Sequence, residues 1–99
     1  MIGVNVTFDY GDDDFDRVRV IGVAENARRM FEGMAGLRFK FFTIDEKHHV
    51  ARNFYVWESK DAAERFFSPE LTERVTGLYG VAPTVDFVEI AQLVDNASS

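Results

Sequence analysis

The chain contains no cysteine, only two prolines and a single tryptophan. Without cysteine there is no disulfide framework, no thiolate nucleophile and no thiolate metal site, a composition that suits a reducing compartment. Basic residues are also scarce: eleven Lys and Arg stand against seventeen Asp and Glu, for a formal net charge of -6. Phosphate recognition needs a basic face, so nucleic acid is not an expected partner. No apolar run approaches the roughly 20 residues that cross a bilayer. The N-terminus shows no basic segment leading into an apolar one. The expectation is a cytoplasmic chain with no membrane association.

What the chain has in excess is phenylalanine, ten in 99 residues. One domain spanning residues 1–99 is expected, and a domain of this size buries roughly 60 to 70% of its unfolded surface. That interior is too small to hide every ring, so some are expected at a subunit interface or in a ligand pocket.

Ile2, Val4, Val6 and Phe8 alternate with Gly3, Asn5 and Thr7, the period of a two-faced strand. The acidic run Asp12–Asp14 suits a helix N-terminus, and a helix is predicted from near Asp14. Its apolar stripe is Val20, Val23, Ala24, Ala27, Met30, Phe31 and Met34, and Gly33 or Gly36 would end it. Leu37 to Ile44 and Val50 to Trp57 read as a hairpin joined by Asp45-Glu46-Lys47-His48. Ser59 caps a predicted helix through Phe67. Ser68-Pro69-Glu70 starts another that runs to about Gly77, and a last strand is predicted from Thr84 to Val94.

That order predicts an α+β fold of the ferredoxin-like βαββαβ type, an antiparallel sheet with helices on one face. The last strand carries Val85, Phe87, Ala91 and Leu93 on one side and Val88, Ile90 and Val94 on the other. Helices cover only one sheet face, so a homodimer is expected to cover the second.

Three segments carry a resemblance: Gly36-Leu37-Arg38-Phe39-Lys40, Asn53-Phe54-Tyr55-Val56-Trp57-Glu58-Ser59 and Phe67-Ser68-Pro69-Glu70. With the element order, the chain resembles the dimeric α/β-barrel superfamily, specifically small monooxygenases related to the antibiotic-biosynthesis monooxygenases. The resemblance covers most of the chain and implies two sheets packed face to face, with a cavity between each sheet and its helices. It also implies oxygenation of an apolar aromatic or polyketide-like molecule with no metal, flavin or other cofactor. An Asn and a Trp act in such pockets, and Asn53 and Trp57 match them in spacing. The tyrosine implied on the following helix is absent from that region, where Ala62, Ala63 and Phe66 stand. In haem-degrading relatives a helix-side His binds iron. His48 and His49 fall instead in the hairpin connection.

The residues themselves allow two readings of each candidate. Asn53, Tyr55 and Trp57 share one strand face, with Asn5 expected opposite them on the first strand, as a polar pocket floor or as packing aromatics with a backbone-satisfying amide. Arg38 and Lys40 are anion holders or solvent-facing charges, and Arg52 is more simply a surface charge. Met30, Phe31, Met34, Phe66, Phe67, Leu71 and Leu78 are the helix-side lining of a cavity or plain core. His48 and His49 point opposite ways on a strand, so a shared metal ion is not expected.

Overall fold

The alternation of the first segment produces β1 (Ile2–Asp9), with Val4, Val6 and Phe8 buried on one face and Asn5 and Thr7 half-buried on the other. The computed structural model describes residues 1–12 and 15–98. The order continues with α1 (Arg17–Phe31), β2 (Leu37–Asp45), β3 (Val50–Trp57), α2 (Lys60–Phe66), α3 (Pro69–Tyr79), β4 (Thr84–Glu89) and a 3₁₀ turn at Asn96–Ser98. The four strands make one antiparallel sheet in the order β2-β3-β1-β4. The three helices lie on one side of it, which is the expected ferredoxin-like α+β arrangement.

Side-chain caps set the helix starts. Asp16 accepts from the Arg19 N–H at 3.2 Å, Ser59 from Ala62 at 3.1 Å and Ser68 from Leu71 at 3.2 Å, while Pro69 opens α3. Asp13 and Asp14 lie outside the described residues, and α1 begins at Arg17 with no acid in its first turn, so Asp16 takes the capping role expected of the acidic run. At its other end α1 stops at Phe31, short of the predicted glycines. Glu32 is already extended, and Gly33 (φ 72°) and Gly36 (φ 82°) turn the chain into β2. In α3 the helix passes Gly77 and ends at Tyr79, before Gly80 in the left-handed region.

Two strand expectations need correction. The last strand stops at Glu89 rather than Val94. Its pairing with β1 ends where Ile2 meets Glu89, and Ile90 to Val94 continue without strand pairing among the described residues. In β2, Leu37 pairs with Trp57 but Phe39 pairs with Val56, a one-residue bulge at Arg38. Beyond it every β2 side chain exchanges faces, so Lys40 and Phe42 turn toward the helices and Phe39 and Phe41 turn away.

The core lies between sheet and helices, built from Val4, Val6 and Phe8 of β1, Ala51, Tyr55 and Trp57 of β3, and Val20, Ala63 and Tyr79 of the helices. On the far face the register groups Phe39, Phe41, Phe54, Val56 and Val88 around Gly3, with Asn5, Thr7, Thr43, Arg52 and Asp86 beside them. Phe41 is 53% exposed there. No helix among the described residues is long and apolar enough to cross a membrane.

Gly36 offers a direct test of this geometry. A Cβ there would lie 3.0 Å from the Ala62 Cβ on a backbone at φ +82°, so Gly36→Ala is expected to cost about 1–3 kcal/mol. Gly77→Ala, inside a helix with open space around it, is expected to gain about 0.5–1 kcal/mol. Urea midpoints at unchanged slope would read both. Equal midpoints for the two variants would contradict this packing.

Candidate functional site

Asn53, Tyr55 and Trp57 alternate on the helix face of β3 and are 5%, 4% and 2% exposed. A buried amide must find partners. Asn53 Nδ2 donates to the Tyr79 hydroxyl at 3.1 Å, and the Tyr79 ring lies stacked on Phe8 with centroids 3.8 Å apart. Tyr79 is held there by the end of its own helix, whose last carbonyls have no intrahelical donors. The Tyr10 hydroxyl donates to the Tyr79 carbonyl at 2.6 Å, while Arg19 of α1 donates to the carbonyls of Leu78 and Gly77, each at 3.2 Å. Burial raises the Tyr79 phenol above its ordinary pKa, while the bond from Asn53 works the other way.

The bulge brings Lys40 beside this group. Its Nζ donates to the Tyr55 hydroxyl at 2.7 Å and lies 3.4, 4.1 and 4.2 Å from the ring centroids of Phe31, Tyr55 and Phe42. Burial pushes the amine down to about 6, which brings its neutral form into the range of neutral pH. The ring faces favour the ammonium by about 0.5–1 kcal/mol apiece, recovering part of what burial removes. Burial also raises the Tyr55 phenol, with Tyr79 adding to the shift, which keeps its proton in place.

Three of the cavities that these groups line share walls. An inner one of about 50 Å³ is lined by Asn53, Tyr55, Tyr79, Lys40 and an apolar wall that includes Met30, Phe31, Phe66, Leu71 and Leu78. A groove of about 290 Å³ runs between the end of α1 and β2, with Arg28, Glu32 and Arg38 at its mouth. A third space of about 190 Å³ lies between α1 and the far end of β2, where Asn53 and Tyr79 reappear. Phe42 lines all three. A drug-sized ligand occupies roughly 300–1,000 Å³, so a polycyclic molecule fits only if Phe42 moves and the spaces merge.

Comparison with solved structures places this geometry. The ActVA-Orf6 monooxygenase of Streptomyces coelicolor, solved with nanaomycin D, matches 97% of this chain and 92% of its own at 18% identity and a TM-score of 0.70. SnoaB, a cofactor-independent oxygenase of Streptomyces nogalater, matches 94% of each chain at 18% identity and a TM-score of 0.64. The chain has the fold of the antibiotic-biosynthesis monooxygenases. No family model matches the sequence, and no curated protein does so.

Within that fold the expected site residues separate. Asn53 and Tyr55 line the inner cavity as a polar patch, with Phe66 and the half-exposed Met30 on its apolar wall. Trp57 lines none of the cavities described. It is packed against Tyr55, Phe66 and Phe67, and its Nε1 N–H has no hydrogen-bond partner among the described residues. Arg38 stands exposed at the groove mouth. Asn5 requires correction: it pairs with Phe54 and Asp86 and belongs to the face away from the helices, because its parity is that of Gly3 and Thr7. Lys40, which strict alternation would leave facing solvent, is inside. Tyr79, which no sequence signal singles out, supplies a phenol where α2 lacks one. His48 bonds Asp45 at 2.7 Å and His49 contacts the Gly11 carbonyl at 2.8 Å, both in the hairpin region away from the cavities. Among the described residues no group of three His, Cys, Asp or Glu could hold a metal ion.

Lys40 makes stability depend on pH with a definite sign. Between about pH 6 and 10 the unfolded chain holds a proton on Lys40 that the folded chain lacks, so this residue's contribution to stability rises with pH across that window. Lys40→Met is therefore expected to be more stable than the parent near pH 6, with the gap closing as pH approaches 9. Denaturation curves over this range would measure it, and a constant gap would contradict the buried amine.

Proposed function

We propose that the chain is a cofactor-independent monooxygenase acting on an aromatic or polyketide-like phenol. The observation that carries this reading is the convergence of Asn53, Tyr79, Tyr55 and Lys40 in a cavity whose remaining lining is apolar except for Arg74. A deprotonated, electron-rich substrate can itself pass an electron to oxygen, so the protein's part is to bind it, hydrogen-bond its oxygens and exclude water. For an anthrone-like substrate the balance is complete: the ring CH₂ becomes a carbonyl with one oxygen atom, and the second leaves as water with both hydrogens. In this reading Asn53 donates to the substrate oxygen and Tyr79 handles the proton. The resemblance also assigns Trp57 to catalysis, although its N–H, without a partner among the described residues, lies behind the cavity lining.

A homodimer belongs to the same proposal. Phe41 and Val88, exposed on the far sheet face, and the unpaired segment Ile90 to Val94 give a second copy an apolar surface to cover. Phe41→Glu is expected to shift the protein from dimer to monomer in sedimentation. An unchanged mass would exclude this face as the interface.

The function is tested by oxygen consumption of the metal-stripped protein with anthrone and hydroquinone substrates, using Trp57, the only tryptophan, as a fluorescent report of binding. Uptake is expected with the parent, and Trp57→Phe is expected to keep the fold while losing most turnover, about tenfold or more. An unfolded Trp57→Phe would mark the indole as structural. Saturable quenching without oxygen uptake would favour a second reading, a binding module of the same fold. The absence of Trp57 from the cavity lining supports that alternative.

A further inference from the structure

We propose that Lys40 is a nucleophilic amine that forms a covalent imine with an aromatic aldehyde or ketone entering through the groove between α1 and β2. The position of Nζ carries the idea. Lys40 lines both the groove and the inner cavity, so one side chain reaches from the opening to the interior. Phe31, Tyr55 and Phe42 present their rings at 3.4 to 4.2 Å from the nitrogen, which gives a planar carbonyl compound surfaces to lie against. Exposed Arg38 at the mouth suits a carboxylate on the ring. The preferred partner is therefore an aromatic carbonyl compound bearing a carboxylate.

The chemistry closes without another reagent. The amine lone pair adds to the carbonyl carbon while the oxygen takes a proton from the Tyr55 hydroxyl, 2.7 Å from Nζ. The nitrogen then returns a proton to Tyr55, Tyr55 passes it to the carbinolamine hydroxyl, which leaves as water, and the second proton of the nitrogen restores the Tyr55 hydroxyl as C=N replaces C=O. Nothing is oxidised or reduced. Burial supports both partners, since it lowers the amine toward its neutral, nucleophilic form and keeps the phenol proton until an alkoxide demands it. No oxygen is consumed, so imine formation does not depend on the oxygenase reading.

The molecule contains its own controls, because its other lysines, Lys47 and Lys60, are exposed and lie outside the groove. The whole chain is incubated anaerobically at pH 7 with 4-carboxybenzaldehyde and cyanoborohydride, and the reduced adduct is located by peptide mass mapping. The expected result is labelling of Lys40 about tenfold or more faster than of Lys47, Lys60 or the N-terminal amine. Lys40→Met should lose that adduct, and Tyr55→Phe should slow it by about tenfold. Label spread evenly over the three lysines, or absent from Lys40, overturns the proposal. The peptide map of the parent protein is decisive by itself, even where a variant fails to fold.

Discussion

Between Leu37 and Phe39 the ladder joining β2 to β3 slips by one residue, and the chemistry beneath the helices depends on that slip. Under strict alternation from Leu37, the helix side would receive Phe39 and Phe41, two more rings in an already aromatic core. The bulge sends those rings to the far face and brings in Lys40 and Phe42. A single irregularity thus supplies an amine to the interior and apolar surface to the exterior. The groove and the covering of the second sheet face are two results of one change in register.

The interior formed this way is costly to maintain. Lys40, Asn53, Tyr55 and Tyr79 are polar groups placed among Phe31, Phe42, Phe66 and Leu71, where a polar atom without a partner loses its hydration for nothing in return. The molecule answers by pairing them, Lys40 with Tyr55 and Asn53 with Tyr79. Trp57 Nε1 is left outside these pairs. A core built only for stability would have used leucine in these positions. The retained polarity is why the cavity reads as a site.

Much of the fold is legible in the sequence because it follows from short-range patterns. The period of two places β1 and β3, with Asn53, Tyr55 and Trp57 correctly on one face, and Ser59 and Ser68 mark two helix starts through their caps. What short-range patterns miss are matters of pairing. A bulge leaves no mark in the alternation of Leu37 to Phe41, so Lys40 reads more simply as a solvent charge. The end of β4 depends on where its pairing with β1 ends, which the mostly apolar segment Ile90 to Val94 does not reveal. Asn5 illustrates the same gap: its parity is visible, but which parity meets the helices requires the register. Tyr79 reaches Asn53 across 26 positions of sequence, and no local signal records such a meeting.

The cap on α3 has a mechanical meaning. Arg19 and Tyr10 tie the last carbonyls of that helix to α1 and to the end of β1, so the tyrosine side of the cavity is clamped. The opposite wall is the last turn of α1, which is followed by two glycines in left-handed conformations and borders an edge strand. The Asn53–Tyr79 pair thus belongs to the side of the cavity tied to two other elements, and Phe42 to the side that faces the groove.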